Sequence, residues 1–388
     1  MTAGLDPATM VASAEESTGL GNWGDPVWRD GFEVLVAALN DAELNETGVV
    51  SMEVRLGMYL EQRLRVLDWR SRNPEIDDEV VVGPMIITGL PRTGTTALSY
   101  LFAQDPDTRS LRVWESARPT PPPEAATYRT DPRVAETQAG LDLMNELVPD
   151  FKRLYDATSA EDTAEGIDLL GMSFRTHHFA GQADVRVYDD WWLGCDMVPA
   201  YRFHHEVLQL LQWRCPPNRW HLKNPPDLFC LEAIDAVYPD ARFVWTHRDP
   251  ARVLPSVCQL VAAVRAMATD EVDRRALGPY HVDLWTEAVD RAMAARERLG
   301  EDRFADVHLG DLQVDPVTAV AGAYERVGWP FTEEAERRVA EWAANRPPDR
   351  HGRHEEPEPA DFGLDMDEVR ERFGAYLDRF GVLEGETA

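Results

Sequence analysis

A strand, a short loop and a helix follow one another between residues 80 and 104, and this pattern constrains the fold most. An apolar run ends at Gly89, and a helical pattern starts near Gly94. Such a unit aims several backbone N–H groups and a helix N-terminus at one point, where an anion can bind. The spacing from Gly89 to Gly94 is the G-x-x-x-x-G of a phosphate-binding loop.

The residue after Gly94 is Thr95, at a position where a nucleoside triphosphatase carries lysine. Arg92 is the nearest cation, and Thr95 and Thr96 supply hydroxyl donors. Arginine presents a planar fork that can grip two oxygens of a tetrahedral anion without a metal. The loop therefore favours a phosphate or a phosphosulfate over a Mg²⁺-bound triphosphate.

A second anion-binding pattern lies at residues 242–256. An apolar strand ends just before Arg248, and the helix that follows carries Ser256 about two turns from its start. Arg248 and Ser256 can therefore converge on one phosphate. The alternative is that Arg248 only pairs with Asp249 or Asp311.

In combination, these segments resemble the sulfotransferase family that uses 3′-phosphoadenosine 5′-phosphosulfate (PAPS), in its bacterial, actinobacterial-type branch. The resemblance covers about residues 50–381. The matching segments are Leu90-Pro91-Arg92-Thr93-Gly94-Thr95-Thr96 for the 5′-phosphosulfate loop, Arg248 and Ser256 for the 3′-phosphate motif, Trp220–Leu228 for a Lys-x-Pro-x-His-Leu segment, and Gly352-Arg353-His354 with Asp361–Leu364 for a C-terminal signature. The resemblance implies PAPS as the donor, adenosine 3′,5′-bisphosphate as its product, and no metal.

The resemblance also implies roles for single residues. The residues expected to hold the donor are Arg92, Thr93, Gly94, Thr95 and Thr96 at the 5′ end, and Arg248, Ser256 and Arg353 at the 3′-phosphate, where Arg353 closes over the ligand from a Gly-containing loop. Lys223 is expected to stabilise the bridging oxygen as the sulfuryl group leaves. One donor of this kind contributes roughly 3 kcal/mol elsewhere.

The proton acceptor is left open by the sequence. Asp227 stands where the family pattern has histidine, and an aspartate can act as the base if burial raises its pKa. His221 is an alternative, because it precedes Lys223 by two residues and so shares its face of a short strand. Two further candidates are the pairs His177/His178 and His204/His205 on predicted helices.

Alternation of strands with helices predicts an α/β fold with a parallel sheet flanked by helices. The resemblance implies that this sheet is of the P-loop-like sulfotransferase type. The predicted strands are 80–88, 219–223, 242–247 and 304–309. The predicted parts of a single structural domain are an N-terminal arm and helices at 1–79 (with 1–27 loose), an α/β core at 80–310 with a large helical insertion at about 119–214, and C-terminal helices with a cofactor-closing loop at 311–388. Within the insertion, 161–214 reads as two long helices separated by a loop at Val185–Trp192.

The insertion is the expected site of acceptor selection. Most of its aromatic residues are expected in the core, but aromatic helices beside the histidines would suit a hydrophobic acceptor with a hydroxyl group. The aromatic residues are Phe174, Phe179, Tyr188, Trp191, Trp192, Tyr201, Phe203 and Trp213. A lipid-like acceptor is therefore favoured slightly over a hydrophilic one.

Charge and cysteine usage limit the partners. The formal net charge is −30, from 39 basic and 69 acidic side chains, which disfavours binding to nucleic acids or to anionic membranes. An anionic donor would need a local cluster of cations in so acidic a protein. The four cysteines show no metal-ligand spacing, and no signal peptide or membrane span is evident, so a cytoplasmic protein is expected.

The function predicted from the sequence is transfer of a sulfuryl group from PAPS to a hydroxyl of a small-molecule or lipid-like acceptor. One alternative is a nucleotide kinase or NTPase with an atypical phosphate loop, which would need Asp249 as a Mg²⁺ ligand. The other is a nucleotide-binding protein that has lost catalysis, since the Asp227 position departs from the family pattern.

Overall fold

The computed structural model describes residues 4–147, 159–345 and 357–383. Within them, five parallel strands form one sheet in the order β2-β3-β1-β4-β5. The strands are β1 (Val82–Gly89), β2 (Arg109–Ser110), β3 (Arg219–Lys223), β4 (Arg242–His247) and β5 (Phe304–His308). The predicted parallel α/β fold is confirmed, with strand ends within two residues of those predicted. The two-residue edge strand β2 was not predicted.

Helices cover both faces of the sheet. In the first half of the chain they are α1 (Pro7–Thr18), α2 (Trp28–Asp41), α3 (Glu46–Arg72), α4 (Thr95–Phe102), α5 (Val113–Ala117), α6 (Pro132–Leu147), α7 (Ile167–Gly171), α8 (His178–Gln182), α9 (Arg186–Gly194) and α10 (Val198–Gln212). In the second half they are α11 (Leu231–Val237), α12 (Pro250–Arg265), α13 (Arg274–Leu299), α14 (Leu309–Val314), α15 (Pro316–Val327), α16 (Glu333–Asn345), α17 (Met366–Arg372) and α18 (Gly374–Phe380). Short 3₁₀ segments lie at Pro74–Asp78, Tyr128–Thr130, Pro225–Phe229, Glu301–Arg303 and Pro359–Phe362. None of the helices described is long and apolar enough to cross a bilayer.

The central strand β1 is buried on both faces, as its nearly continuous apolar sequence requires. Because side chains alternate along a strand, Ile86 joins the core on one face, whereas Met85 and Ile87 join the core on the other. All strands run in the same direction, so the loop after Gly89, the end of β3 and the end of β4 meet at one edge. In open parallel sheets, ligands bind at this carboxyl edge.

The N-terminal segment is not a loose arm throughout. Residues 7–18 form α1, which Asp6 caps and which packs on α3 through buried Met10 and Ala14. Trp23 then stacks on Trp28 with ring centroids 4.7 Å apart. The sequence prediction of a loose segment over 1–27 was therefore wrong, because small residues in a helix were read as a sign of disorder.

The prediction of two long helices over 161–214 was also wrong. This stretch contains the four shorter helices α7 to α10, and the predicted loop at 185–192 lies largely within α9. Tyr188 and Trp192 are four residues apart on one face of α9, and both are buried. Burial of this face stabilises α9, whose polar residues favoured a loop in the sequence prediction.

Candidate active site

The loop between β1 and α4 is held by its own hydrogen bonds. Gly89 has a φ of 149°, and a Cβ there would lie 2.4 Å from Oγ1 of Thr246 on β4. The Thr93 hydroxyl donates to the Leu90 carbonyl at 2.6 Å and contacts Oγ1 of Thr246 at 2.5 Å. The side chain of Thr93 is thus buried inside the loop. At the start of α4, Gly94 provides no side-chain cap, so the first N–H groups of the helix are left for another acceptor.

The two predicted arginines lie together. Nη1 of Arg248 donates to the backbone carbonyl of Arg92 at 3.2 Å, and Nε of Arg92 donates to Oγ of Ser256 at 3.2 Å. Residues 164 positions apart in the chain therefore form one cluster, because β1 and β4 are neighbours in the sheet. Both arginine side chains line the same cavity.

Lys223 ends β3 beside this cluster. Its ammonium group donates to Oε1 of Glu165 at 2.7 Å and to Oγ1 of Thr96 at 3.3 Å. The lysine side chain is only 4% exposed, so its charge is balanced locally by Glu165. Lys223, Thr96 and Glu165 all line the cavity, and Glu165 is the one carboxylate among the described residues that do so.

Asp227 lies behind the cavity wall rather than on it. Pro225 and Pro226 line the cavity, whereas the Asp227 carboxylate accepts hydrogen bonds from Oη of Tyr201 and Nδ2 of Asn224, each at 2.6 Å. Burial raises the pKa of Asp227 to about 7, despite the opposing effect of the two hydrogen bonds. The predicted rise in pKa is therefore present, but the group faces the interior.

His221 shares the face of β3 that carries Lys223, as its spacing predicts, but it does not line the cavity. Its ring meets Phe102 edge-on, and its Nδ1 lies 3.3 Å from the Thr108 hydroxyl. Burial lowers the pKa of His221 to about 3. The imidazole is therefore a neutral group packed beneath α4.

The cavity itself encloses about 390 Å³ and has two unlike parts. One part, which carries the cations, is formed by the β1–α4 loop, Lys223 and the two arginines. The other part is bounded by one face of α12 and by α8 and α13. The α12 residues on this wall are Val257, Leu260, Val261 and Val264, whose spacing places them on one side of a helix.

The predicted histidine pairs divide between two locations. His177 and His178 line the cavity, where His177 Nδ1 lies 2.9 Å from the Asp189 carboxylate and His178 Nε2 accepts from Gln182 at 2.9 Å. His204 and His205 do not. His204 contacts the Tyr238 hydroxyl at 2.8 Å, and the His205 ring lies beside the same tyrosine. Only the first pair therefore borders the cavity, and a catalytic role for it stays a prediction.

Comparison with known proteins identifies the family. A model of the sulfotransferase family matches residues 84–333, nearly two thirds of the chain. The chain belongs to the sulfotransferase family. The matched region contains the phosphate loop, Lys223 and the Arg248 segment. It follows that this sulfotransferase is an enzyme of sulfuryl transfer, as the sequence predicted.

Solved mycobacterial structures resemble the sulfotransferase over nearly its whole length. Sulfotransferase STF9 from Mycobacterium avium superposes with a TM-score of 0.88 at 30% identity, covering 98% of each chain. Sulfotransferase STF1 from Mycobacterium tuberculosis H37Rv gives 0.85 at 29% identity, covering 96% of this chain and 99% of that one. A curated relative, the omega-hydroxy-beta-dihydromenaquinone-9 sulfotransferase of Mycobacterium tuberculosis, is 25% identical over 169 residues. That match covers 41% of this chain and 40% of the relative's length.

The aromatic residues of the insertion do not line the cavity of this sulfotransferase. All eight belong to the hydrophobic core or pack against it, and none lines the cavity. The apolar wall comes instead from α12. The expectation that most of these aromatic residues belong to the core agrees with the structure, and the suggestion that some of them border an apolar cleft does not.

The C-terminal region is attached directly to the 3′-phosphate motif. Arg370 on α17 forms a 2.7 Å ion pair with Oδ2 of Asp249, whose Oδ1 caps α12 by accepting from the Ala251 N–H. Both carboxylate oxygens of Asp249, the Mg²⁺ ligand proposed for the kinase alternative, thus have partners within the protein. Arg353 lies outside the described residues, so its predicted role stays a prediction.

Two groups on the cavity wall were missed by sequence reasoning. Glu165 follows a loop with no recognisable motif, and only the fold pairs it with Lys223. His281 is a single histidine on the long helix α13. The sequence around these two residues contains no glycine-rich loop and no arginine motif, so nothing local indicates that they line the cavity.

Proposed function

We propose that this sulfotransferase transfers a sulfuryl group from PAPS to a hydroxyl of an elongated, largely apolar acceptor. The observation that carries the proposal is the Arg92–Arg248–Ser256 cluster, which lies beside Lys223 at one end of a cavity with an apolar wall. The donor end offers guanidinium, ammonium, hydroxyl and helix N-terminal N–H groups, all of which are hydrogen-bond donors. This set fits a polyanionic nucleotide.

In the proposed complex, the first N–H groups of α4 bind the 5′-phosphosulfate together with Thr95, Thr96 and Arg92. Arg248 and Ser256 bind the 3′-phosphate, and Arg353 is proposed to close over it. When bound, PAPS supplies an activated sulfuryl group on a good leaving phosphate. Thr93 contributes through the backbone and the shape of the loop, because its hydroxyl is already bonded within the loop.

Lys223 is proposed to leave its contact with Glu165 and to donate to the bridging oxygen. The bond from sulfur to that oxygen breaks, the bond from sulfur to the acceptor oxygen forms, and the electron pair of the broken bond stays on the phosphate. The acceptor proton passes to Glu165, the carboxylate on the wall. Asp227 and His221 remain predicted bases, but their buried positions favour Glu165.

An apolar acceptor is supported by the α12 wall. Val257 and Val264 are seven residues apart, so this apolar face is about 10 Å long. The name of the curated relative also describes a sulfotransferase that acts on a hydroxylated menaquinone, a long apolar molecule. The same class of acceptor is proposed here, without a specific compound.

Calorimetric titration tests the donor. We expect adenosine 3′,5′-bisphosphate to bind without metal, and ATP with Mg²⁺ not to bind. Arg248→Ala should weaken binding by about 2 kcal/mol, roughly thirty-fold, because it removes charge-assisted hydrogen bonds. Arg298→Ala is the matched control, since that arginine forms an exposed ion pair with Glu232. Tight ATP binding without bisphosphate binding would contradict the proposal and support the kinase alternative.

Transfer from radiolabelled PAPS tests catalysis and the base. With long-chain alcohols, sterols and phenols as acceptors, we expect sulfation of the elongated alcohols. Glu165→Gln should lower kcat by about 10²–10⁴-fold with little change in bisphosphate affinity, whereas Asp227→Asn should retain most of the activity. The opposite ranking would assign the base to Asp227. Bisphosphate binding with no transfer to any acceptor would instead support a binding protein without catalysis.

A further inference from the structure

The cavity ends in a polar group of residues that the proposed reaction does not use. His281 and Trp285 on α13 and Gln182 on α8 all line this end, and all are at least nine-tenths buried. Among the described residues, neither ring nitrogen of His281 has a hydrogen-bond partner. The same holds for Nε1 of Trp285 and Oε1 of Gln182. We refer to these three residues as the distal polar group.

Gln182 and His281 lie near the C-terminal end of α12, away from the donor end, and Trp285 packs against Phe229 with ring centroids 5.7 Å apart. Arg265, the last residue of α12, donates from Nε and Nη2 to the Ala180 carbonyl in α8 at 3.1 and 2.7 Å. This contact fixes α8 beside the C-terminal end of α12. Ser256, which contacts Arg92, lies nine residues earlier, or about 13 Å along the helix axis. The apolar α12 wall therefore separates the two polar ends of the cavity.

Unpartnered buried polar atoms are rare in folded proteins because each costs about 1–3 kcal/mol. Here several occur together on the wall of a cavity, where a bound molecule could supply their partners. Burial, together with nearby His177, Arg265 and Arg186, lowers the pKa of His281 to about 3. The neutral imidazole offers one donor and one acceptor, the Trp285 indole adds a donor and the Gln182 oxygen adds an acceptor.

A mixed set of donors and acceptors limits the chemistry of the ligand. A hydroxyl group can donate and accept at once, and a carbonyl oxygen can accept from the imidazole and indole N–H groups. A methyl terminus would leave every one of these atoms unpaired. Nearby Arg265 already pairs with the Asp184 carboxylate and the Ala180 carbonyl, so a phosphate or carboxylate would have to compete with these partners for its charge.

Given the proposed sulfuryl transfer, on which this inference depends, we propose that the acceptor carries a second oxygen function, a hydroxyl or a carbonyl, at the end opposite the sulfated hydroxyl. His281 binds this oxygen with Gln182 and Trp285, and the α12 wall covers the apolar chain between the two ends. The enzyme thus prefers bifunctional, elongated acceptors over simple fatty alcohols of the same length.

The test measures the affinity of matched alcohols for the full chain saturated with adenosine 3′,5′-bisphosphate. The probes are terminal diols from hexane-1,6-diol to dodecane-1,12-diol, each compared with the monoalcohol of the same length by calorimetry. We expect a diol of one preferred length to bind about ten-fold more tightly than its monoalcohol, because its second hydroxyl pairs with the buried groups. A maximum at one length is expected because the two polar ends are held at a fixed separation.

Variants assign the preference to His281. His281→Phe should abolish the diol preference while leaving bisphosphate affinity unchanged, and His281→Gln, which keeps a donor and an acceptor, should retain part of it. Tyr280→Phe is the control, since the neighbouring tyrosine does not line this cavity.

The inference is wrong if no diol exceeds its monoalcohol at any length, including the case in which none binds, or if His281→Phe keeps the same preference. Failure of the bisphosphate itself to bind would overturn the donor proposal, which is a separate result.

Discussion

Arg92 has an unusual backbone for a residue with a side chain. Its φ of 66° lies in the left-handed region, which costs roughly 1–2 kcal/mol for an L-residue other than glycine. The loop keeps this conformation while the Arg92 carbonyl accepts from Arg248 and its guanidinium donates to Ser256. The strain is thus located at the proposed phosphate site, where an arginine is needed despite its cost.

A pair of variants separates the strain from the charge. Arg92→Gly and Arg92→Ala both remove the guanidinium, but only glycine accepts the left-handed backbone freely. We expect Arg92→Gly to be more stable than Arg92→Ala by about 1 kcal/mol in urea unfolding, with equally weakened bisphosphate binding in both. Equal stability of the two variants would show that the loop relaxes without the side chain.

The raised pKa of Asp227 leads us to expect that the stability of the protein depends on pH. The pKa of Asp227 is about 7 in the folded protein, compared with the usual 3.8. Between pH 3.8 and pH 7, the folded protein therefore keeps a proton on this carboxyl group that the unfolded protein has lost. Stability from this group is therefore greatest below pH 4 and falls as the pH rises toward 7. Asp227→Asn keeps the accepting oxygen and removes the titration.

We expect Asp227→Asn to gain stability relative to the wild type as the pH is raised from 5 to 8, by on the order of 2–3 kcal/mol. The measurement is urea unfolding of both proteins across this range. A constant difference between the two proteins would mean that the carboxyl group of Asp227 is ionised in the folded state at both ends of the range.

At the scale of elements, helix α12 joins the two halves of the site. Its first turns carry Ser256 beside the arginines, and its last two turns carry the apolar wall. The sequence predicted the helix itself, from Ala251 onward, because the Asp249-Pro250 start and the apolar spacing are local signals. The sequence did not predict that one apolar face of α12 borders a cavity, because this depends on how α8 and α13 pack against α12.

The start of α12 depends on a partner from the far end of the chain. Arg370→Ala would remove an ion pair from buried Asp249, and we expect a loss of about 1–3 kcal/mol in the free energy of unfolding. Arg372→Ala is the matched control on the same helix. Its partner Asp283 is exposed, so the loss there should stay below about 1 kcal/mol. Equal losses would show that the Asp249 pair has no special role.

Over the whole molecule, the sequence predicted those parts of the site that belong to short, recognisable motifs. The phosphate loop, Arg248 and Lys223 could be recognised because each lies at the end of a strand, and parallel strands end at one edge. Ser256 could be recognised because it lies two turns into the helix that follows β4. These residues lie close together because the parallel strands that precede them are neighbours in the sheet.

The parts contributed by distant segments could not be predicted in this way. Glu165 meets Lys223 across a loop, and Tyr201 and Asn224 enclose Asp227, a contact that no spacing reveals. The clustering of cations in an acidic protein was, by contrast, expected from the sequence. A chain with a net charge of −30 nevertheless places Arg92, Lys223 and Arg248 on one cavity.

In the proposed complex, the apolar face of α12 limits the length of the acceptor. Val264 lies at the far end of that face, so the bulk of its side chain sets how far a chain can extend beyond the reacting hydroxyl. Val264→Phe should shift the longest alcohol sulfated to a shorter one, and Val264→Ala to a longer one, as product analysis over a series of chain lengths would show. A single position on one helix would then tune which lipids the enzyme modifies, with the chemistry at the other end untouched.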